Sequence, residues 1–187
     1  MSLTLEDYRK DFERATNRSI SMPLAGAIVW LVVAIISTQV NERLGLVILL
    51  FASGAIFPIA LLIARLRSES VLSRDNPLAR LMGMSVLMMN LLWAVHIPLF
   101  IYVPAFLPLS LGIGLGLHWV IYSWVIQHPL GLIHAILRTV LVLALWFLFP
   151  EDRLFAIGFG IAAVYCLSIY QALSRKVVHS ATFSRSE

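Results

Sequence analysis

The sequence predicts an all-α polytopic membrane protein with six transmembrane helices arranged as antiparallel hairpins. Of its 187 residues, 60% are hydrophobic and 13% are charged, whereas soluble domains carry about 25% charged residues. Six apolar runs are each long enough to cross about 30 Å of hydrocarbon, and most links between them are very short. Short links make consecutive helices antiparallel neighbours. A chain of this length is therefore expected to form a single membrane domain over residues 1–187.

The first segment, residues 2–18, is predicted to form an amphipathic helix ahead of the spans. Thr4 and Asp7 have the spacing of a capping box, and apolar side chains such as Tyr8 and Phe12 share one face at helical spacing. The opposite face is charged. Two placements stay open for this helix. It lies at the membrane surface with its apolar face in the headgroup layer, or it packs against the bundle.

Six predicted spans follow, separated by four short links and one longer link. The longer link, 65–80, carries four arginines, and Asn76-Pro77 within it has the pattern of a turn that starts the third span. A polar tail that we expect to be cytoplasmic, 174–187, ends the chain. The predicted spans are about 20–39, 44–64, 81–102, 106–125, 130–149 and 154–173.

Lysine and arginine are distributed unequally between the two sides of the predicted bundle. Eleven lie on the side of the chain ends and the long link, and only Arg43 and Arg153 lie on the other. By the positive-inside rule, this imbalance predicts that both termini are cytoplasmic. Because these cations flank apolar spans, we expect them to contact anionic lipids and not nucleic acid. The eleven are Arg9, Lys10, Arg14, Arg18, Arg65, Arg67, Arg74, Arg80, Arg175, Lys176 and Arg185.

Small residues on two spans predict close helix packing. Gly112 and Gly116 have GxxxG spacing on the fourth span, and Gly158 and Ala162 have a similar spacing on the sixth. In lipid, such residues allow helix backbones to approach closely. The expected partner is another helix of the same bundle, and a homo-oligomer is the alternative.

Three short patterns mark the long link, the fourth span and the end of the fifth. They are Asn76-Pro77-Leu78, a glycine-rich run that contains His118, and Phe149-Pro150-Glu151. In these patterns the chain resembles a family of small, uncharacterised bacterial membrane proteins with six spans. The resemblance extends over most of the chain, and it implies an intact six-helix unit in the bacterial inner membrane. It implies no activity.

Polar side chains are concentrated in the hairpin of the fourth and fifth spans. Arg138 is the only full charge near the centre of a predicted span, about 12 Å from the cytoplasmic side by helix rise. Each helix of the hairpin carries a polar pair at i, i+4 spacing, so each pair shares one face. With a residue of the third span at a similar depth, the predicted site residues are Asn90, His118, Tyr122, His134 and Arg138.

The six predicted spans contain no Asp or Glu that could pair with Arg138. A central arginine costs several kcal/mol unless it meets water, carbonyl groups or an anion. We therefore expect a polar pocket centred on Arg138 that binds or transports a small amphipathic or anionic, lipid-like molecule. A phosphate or carboxylate on that molecule would fit the guanidinium group. The competing interpretation is a structural arginine bonded to backbone carbonyls and to Asn90.

Two other classes of function stay open. In a membrane-embedded enzyme acting on a lipid, His118 or His134 would be the acid–base group, because imidazole titrates near neutral pH. In a non-catalytic subunit or assembly partner, the polar side chains would only fix helix register. An enzyme is the less expected class. Histidines without carboxylate or thiolate support predict no metal site, and the sequence implies no cofactor.

Overall fold

The computed structural model describes residues 3–69 and 75–175. Residues 70–74 of the long link, which include Arg74, and most of the predicted polar tail lie outside the described residues. Within the described ranges the regular elements are helices. We number the α-helices as α1 (Leu5–Thr16), α2 (Ser21–Ser37), α3 (Glu42–Leu66), α4 (Pro77–Leu91), α5 (Trp93–Tyr102), α6 (Leu107–Gly114), α7 (His118–Val125), α8 (Leu130–Leu148) and α9 (Arg153–Ser174).

Six helical stretches are long and apolar enough to cross a membrane, which confirms the predicted fold class. Four of them contain one long helix each: α2, α3, α8 and α9. The other two were expected as single runs but consist of two helices each. α4 and α5 meet at Leu92, and α6 and α7 are separated by a turn at 115–117. This turn includes Gly116, a residue that disfavours the helical state.

The chain enters the first span through a sharp turn between α1 and α2. Asn17, Arg18 and Ser19 all have positive φ, with values of 41°, 69° and 53°. Residues other than glycine rarely adopt this conformation, so contacts from other elements must stabilise it. The Arg18 side chain donates a hydrogen bond to the carbonyl of Leu173, and the Arg18 carbonyl accepts one from the Tyr122 hydroxyl at 3.4 Å.

α1 lies across one end of the bundle and packs against it. The predicted capping box is present, because the Asp7 carboxylate accepts from the Thr4 backbone at 2.8 Å and the Thr4 hydroxyl accepts from Asp7 N. Hydrogen bonds from Thr4 hold the pKa of the Asp7 carboxyl below its usual value. On the other face of α1, the Phe12 side chain is only 6% exposed. α1 therefore has the bundle-packed placement.

Asn76 joins α1 to the start of α4. Its side-chain oxygen accepts a hydrogen bond from Leu78 N at 2.9 Å and so caps α4. Its amide nitrogen lies 2.8 Å from both the Tyr8 carbonyl and the Asp11 carboxylate. One buried side chain thus begins a span and holds the N-terminal helix.

Two further contacts hold α1 to the rest of the bundle. Arg175, at the end of α9, donates to the Glu13 carboxylate at 2.7 Å, and both side chains are largely buried. The guanidinium of Arg9 lies over the ring of Trp124, 5.0 Å from its centre. These contacts place α1, the start of α4 and the end of α9 at the same end of the bundle. Five basic residues belong to these segments: Arg9, Lys10, Arg14, Arg80 and Arg175.

The small residues make the close helix contacts that their spacing predicted. A Cβ atom added at Gly158 in α9 would lie 3.0 Å from both the Ala34 Cβ and the Trp30 carbonyl of α2. A Cβ added at Gly116 would lie 2.8 Å from Cδ of Arg138 in α8. Both partners are helices of the same chain, as expected for a six-helix bundle.

The start of α2 is capped by a carboxylate from outside the helix. Glu69, which follows α3, accepts a hydrogen bond from Ser21 N at 3.1 Å and another from the Arg67 side chain at 2.6 Å. The Glu69 side chain is buried. A carboxylate at a helix N-terminus is stabilising because the terminal N–H groups carry partial positive charge.

Candidate functional site

A cavity of about 650 Å³ lies between α1, α2, α3, α4 and α7. We call it the outer chamber. Its volume is within the range of small-molecule sites, about 300–1,000 Å³. Its wall is largely apolar and includes Phe12, Met22, Phe57, Met82 and Val86. Such a wall suits a hydrocarbon group.

The outer chamber lies in the gap between α3 and α4. α3 packs mainly on α2, whereas α4 packs on α7 and α1. Where the two helices face each other across the gap, Phe57 of α3 is 38% exposed and Gly83 of α4 is exposed. The chamber therefore opens sideways between two membrane spans.

A smaller cavity of about 100 Å³, the inner chamber, adjoins the outer one. The two share five wall residues, so they lie side by side. The inner chamber reaches toward the middle of the bundle, where its wall is more polar. Its own wall includes Ser53, Asn90, Trp93 and Tyr165, and the shared residues are Met22, Phe57, Val86, His118 and Trp119.

Three of the five predicted site residues line these chambers. His118 lines both, and its Nδ1 atom is buried without a hydrogen-bond partner among the described residues. Tyr122 lines the outer chamber. Asn90 lines the inner chamber, but its amide donates to the Val86 carbonyl of its own helix at 3.0 Å.

Arg138 lies behind the inner chamber and lines neither cavity. It is completely buried. Its Nε donates to the carbonyl of Gly112, and its Nη1 donates to the Tyr165 hydroxyl at 2.9 Å. The guanidinium also lies over the ring of Trp30, 5.4 Å from its centre. Its third nitrogen, Nη2, has no partner, and no carboxylate pairs with it in the part of the chain that the structure describes.

His134 also lies behind the chambers, where it is hydrogen-bonded to Ser168. The Ser168 hydroxyl oxygen lies 2.7 Å from His134 Nδ1 and 2.9 Å from the Val164 carbonyl oxygen. The His134 ring stacks on Trp119 at 4.0 Å between centres and 14° between planes. His134 thus fixes the orientation of Trp119.

Trp119, Tyr165 and Ser168 were not among the predicted site residues. Tyr165 and Ser168 are spaced i, i+3 in the sixth span, and polar side chains inside an apolar span were the available signal. Trp119 lies beside His118 in sequence, but its burial depends on the packing of α7 against α8. That packing is close, because a Cβ added at Gly131 would lie 2.1 Å from the Trp119 carbonyl.

The two chambers combine side chains that can form hydrogen bonds with a largely apolar wall. Among the residues that the structure describes, no three His, Cys, Asp or Glu side chains form a group that could hold a metal ion. His118 and His134 have different surroundings, since His134 is bound to Ser168 and His118 lines the chambers.

The fold defines an integral membrane protein with six apolar spanning helices. The chain belongs to the family of unknown function DUF7010, whose family model matches residues 5–175. Membership agrees with the predicted resemblance to an uncharacterised family. No curated protein and no solved structure gives a significant match to the chain. Its function is therefore argued from the site.

Proposed function

We propose that the protein binds an amphipathic small molecule within the membrane, in the outer and inner chambers. The observation that supports this most directly is a cavity of about 650 Å³ that opens between α3 and α4. An opening between two spans admits a molecule from the lipid. His118 and Tyr122 on one wall supply polar contacts beside an apolar surface.

The balance of forces inside a membrane favours a ligand with a polar group. A hydrocarbon chain gains little free energy on moving from lipid into the chamber, because lipid tails are as apolar as the wall. Selective binding must therefore come from shape and from hydrogen bonds. The His118 side chain lines both chambers, so a ligand in either chamber would lie beside its imidazole ring.

We further propose that the end of the bundle with α1 faces the cytoplasm of a bacterial cell. From the sequence, eleven Lys and Arg residues are assigned to this side of the predicted spans and two to the other, which supports this orientation under the positive-inside rule. Anionic lipids at this face would be attracted to the same residues.

Native mass spectrometry of the gently solubilised protein tests the binding proposal. Gly83 and Gly54 belong to the chamber walls, and a Cβ added at either would meet nothing within 4 Å. Gly83→Leu and Gly54→Leu should therefore fold and fill part of the site. We expect a discrete adduct on the wild-type protein that both variants lose.

The matched control is Met84→Phe, which adds bulk on the side of α4 away from the chambers, where Met84 is 64% exposed. This control should keep the adduct. The absence of an adduct from the wild-type protein, or its equal retention in all variants, would contradict binding in the chambers.

The second candidate function is a membrane-embedded enzyme acting on a lipid. It is favoured by one observation, that the imidazole side chain of His118 lines both chambers. An enzyme would lose turnover of added lipid in His118→Gln while the adduct remains. A transporter would instead move its ligand across a liposome membrane, and a purely structural subunit would do neither.

A further inference from the structure

We propose that the inner chamber holds the acidic group of the ligand, and that the ligand is a long-chain carboxylate. Its oxygen atoms accept hydrogen bonds from the Tyr165 hydroxyl and the Trp119 indole. This inference rests on the proposed function and deepens it by naming the chemical class of the ligand.

The Tyr165 hydroxyl can donate a hydrogen bond to a ligand. Its oxygen accepts a hydrogen bond from Arg138 Nη1 at 2.9 Å, and its own proton has no acceptor among the described residues. The side chain is buried and lines the inner chamber. A cationic donor on the oxygen polarises the O–H group, because linked hydrogen bonds strengthen one another. Arg138 therefore acts on the ligand through Tyr165, as a positioning residue.

The Trp119 indole N–H is a second hydrogen-bond donor. Its Nε1 atom is buried without a partner in residues 3–69 and 75–175, and the side chain is 5% exposed and lines both chambers. An indole N–H can only donate, and a buried donor without an acceptor costs free energy. The stack on His134 and the edge contact with Tyr165, 6.0 Å between ring centres, place the Trp119 and Tyr165 rings next to each other.

Charge and size favour a carboxylate at this place. The wall of the inner chamber contains no acidic side chain, and the cation of Arg138 lies directly behind Tyr165. Glu69 belongs to the outer chamber, where Arg67 and Ser21 already bind its oxygens. A volume of about 100 Å³ suits a carboxylate better than a phospholipid headgroup. The hydrocarbon chain would then occupy the apolar outer chamber.

Calorimetric titration of the full-length protein in a neutral detergent tests this assignment with three probes that share a chain length. The probes are dodecanoate, dodecanol and dodecyl phosphate. We expect dodecanoate to bind at least about tenfold more tightly than dodecanol, the effect of about one hydrogen bond to a charged acceptor. Tyr165→Phe should weaken dodecanoate binding about tenfold and leave dodecanol binding unchanged.

Tyr170→Phe is the matched control, because Tyr170 is on the same helix and is 68% exposed. Trp119→Phe provides an independent second variant, with the same expected selective loss. Unchanged dodecanol binding shows in each case that the site is folded. Equal affinity of the wild-type protein for acid and alcohol, or tighter binding of dodecyl phosphate, would overturn the carboxylate assignment while the binding proposal stands. If no probe binds and no adduct is found that Gly83→Leu removes, both the carboxylate assignment and the binding proposal are overturned.

Discussion

Arg138 in α8 donates a hydrogen bond to the hydroxyl oxygen of Tyr165 in α9 across 2.9 Å, and both side chains are buried. The charge is met by the Gly112 carbonyl and by the faces of Trp30 and Tyr165. Each cation–π contact is worth about 0.5–2 kcal/mol. This cation is therefore stabilised by the dipoles of a carbonyl and a hydroxyl group and by two aromatic rings. Tyr165 links it to the inner chamber, which the Tyr165 side chain lines.

Arg138→Lys should lower the free energy of unfolding by about 1–3 kcal/mol, the cost of a lost buried hydrogen bond. A lysine ammonium is a point charge and does not reproduce the planar guanidinium that reaches Gly112 and Tyr165 together. Denaturant titration in detergent would measure the loss. Arg43→Lys, at an exposed arginine, should change stability little. Equal stability of the two variants would contradict this account of Arg138.

Gly131→Ala should destabilise the protein by at least about 1–3 kcal/mol, the usual cost of overpacking. The added Cβ would lie 2.1 Å from the Trp119 carbonyl and 2.8 Å from Ser123 N, so backbone must move. Gly54→Ala is the matched helical control. Its Cβ meets nothing within 4 Å, and alanine favours the helix by about 0.5–1 kcal/mol. Thermal unfolding should show a lower melting temperature than the wild type for Gly131→Ala and a higher one for Gly54→Ala.

Glu13→Gln should loosen α1, because it leaves the largely buried Arg175 without its carboxylate. Removing one partner of a buried pair is costly since the other charge stays desolvated. Hydrogen exchange across α1 should become faster. Glu6→Gln removes an exposed partner of Lys10 at 3.8 Å, and such pairs contribute little. Similar exchange in both variants would show that the Glu13 contact does not hold α1.

Asn76→Asp should release α1 while preserving the start of α4. An aspartate still accepts from Leu78 N, so the cap is retained. It no longer donates to the Tyr8 carbonyl, and it places a second negative charge beside Asp11. Limited proteolysis near α1 should increase while the helix content by circular dichroism stays constant. A parallel loss of helix would mean that the cap itself failed.

The spans and the capping box of α1 follow from sequence because each depends on local pattern. Apolar runs and the Thr4–Asp7 spacing are readable without tertiary structure. The breaks at Leu92 and 115–117 are different. They lie inside uniformly apolar runs, so hydropathy carries no signal for them, and the close approach of Gly116 to Arg138 is a property of the packed bundle.

The surroundings of the polar side chains could also be predicted only in part from the sequence. Helix rise places His118 and Arg138 at similar depths, and both are found in one region. Depth alone does not tell which side of a helix faces a cavity. Rotation of α8 directs Arg138 and His134 into the protein, toward Tyr165 and Ser168. His118 of α7 instead lines the chamber. Only the tertiary packing of the helices determines this difference between His118 and the two residues of α8.

The contact between Glu13 and Arg175 has a consequence for the order of assembly. The two residues are separated by almost the whole chain, and Arg175 follows the last span. α1, which supplies Phe12 to the wall of the outer chamber, is synthesised first but gains this partner only when α9 has been made. During synthesis from the N-terminus, the Glu13–Arg175 contact therefore forms only after every helix that lines the outer chamber has been made.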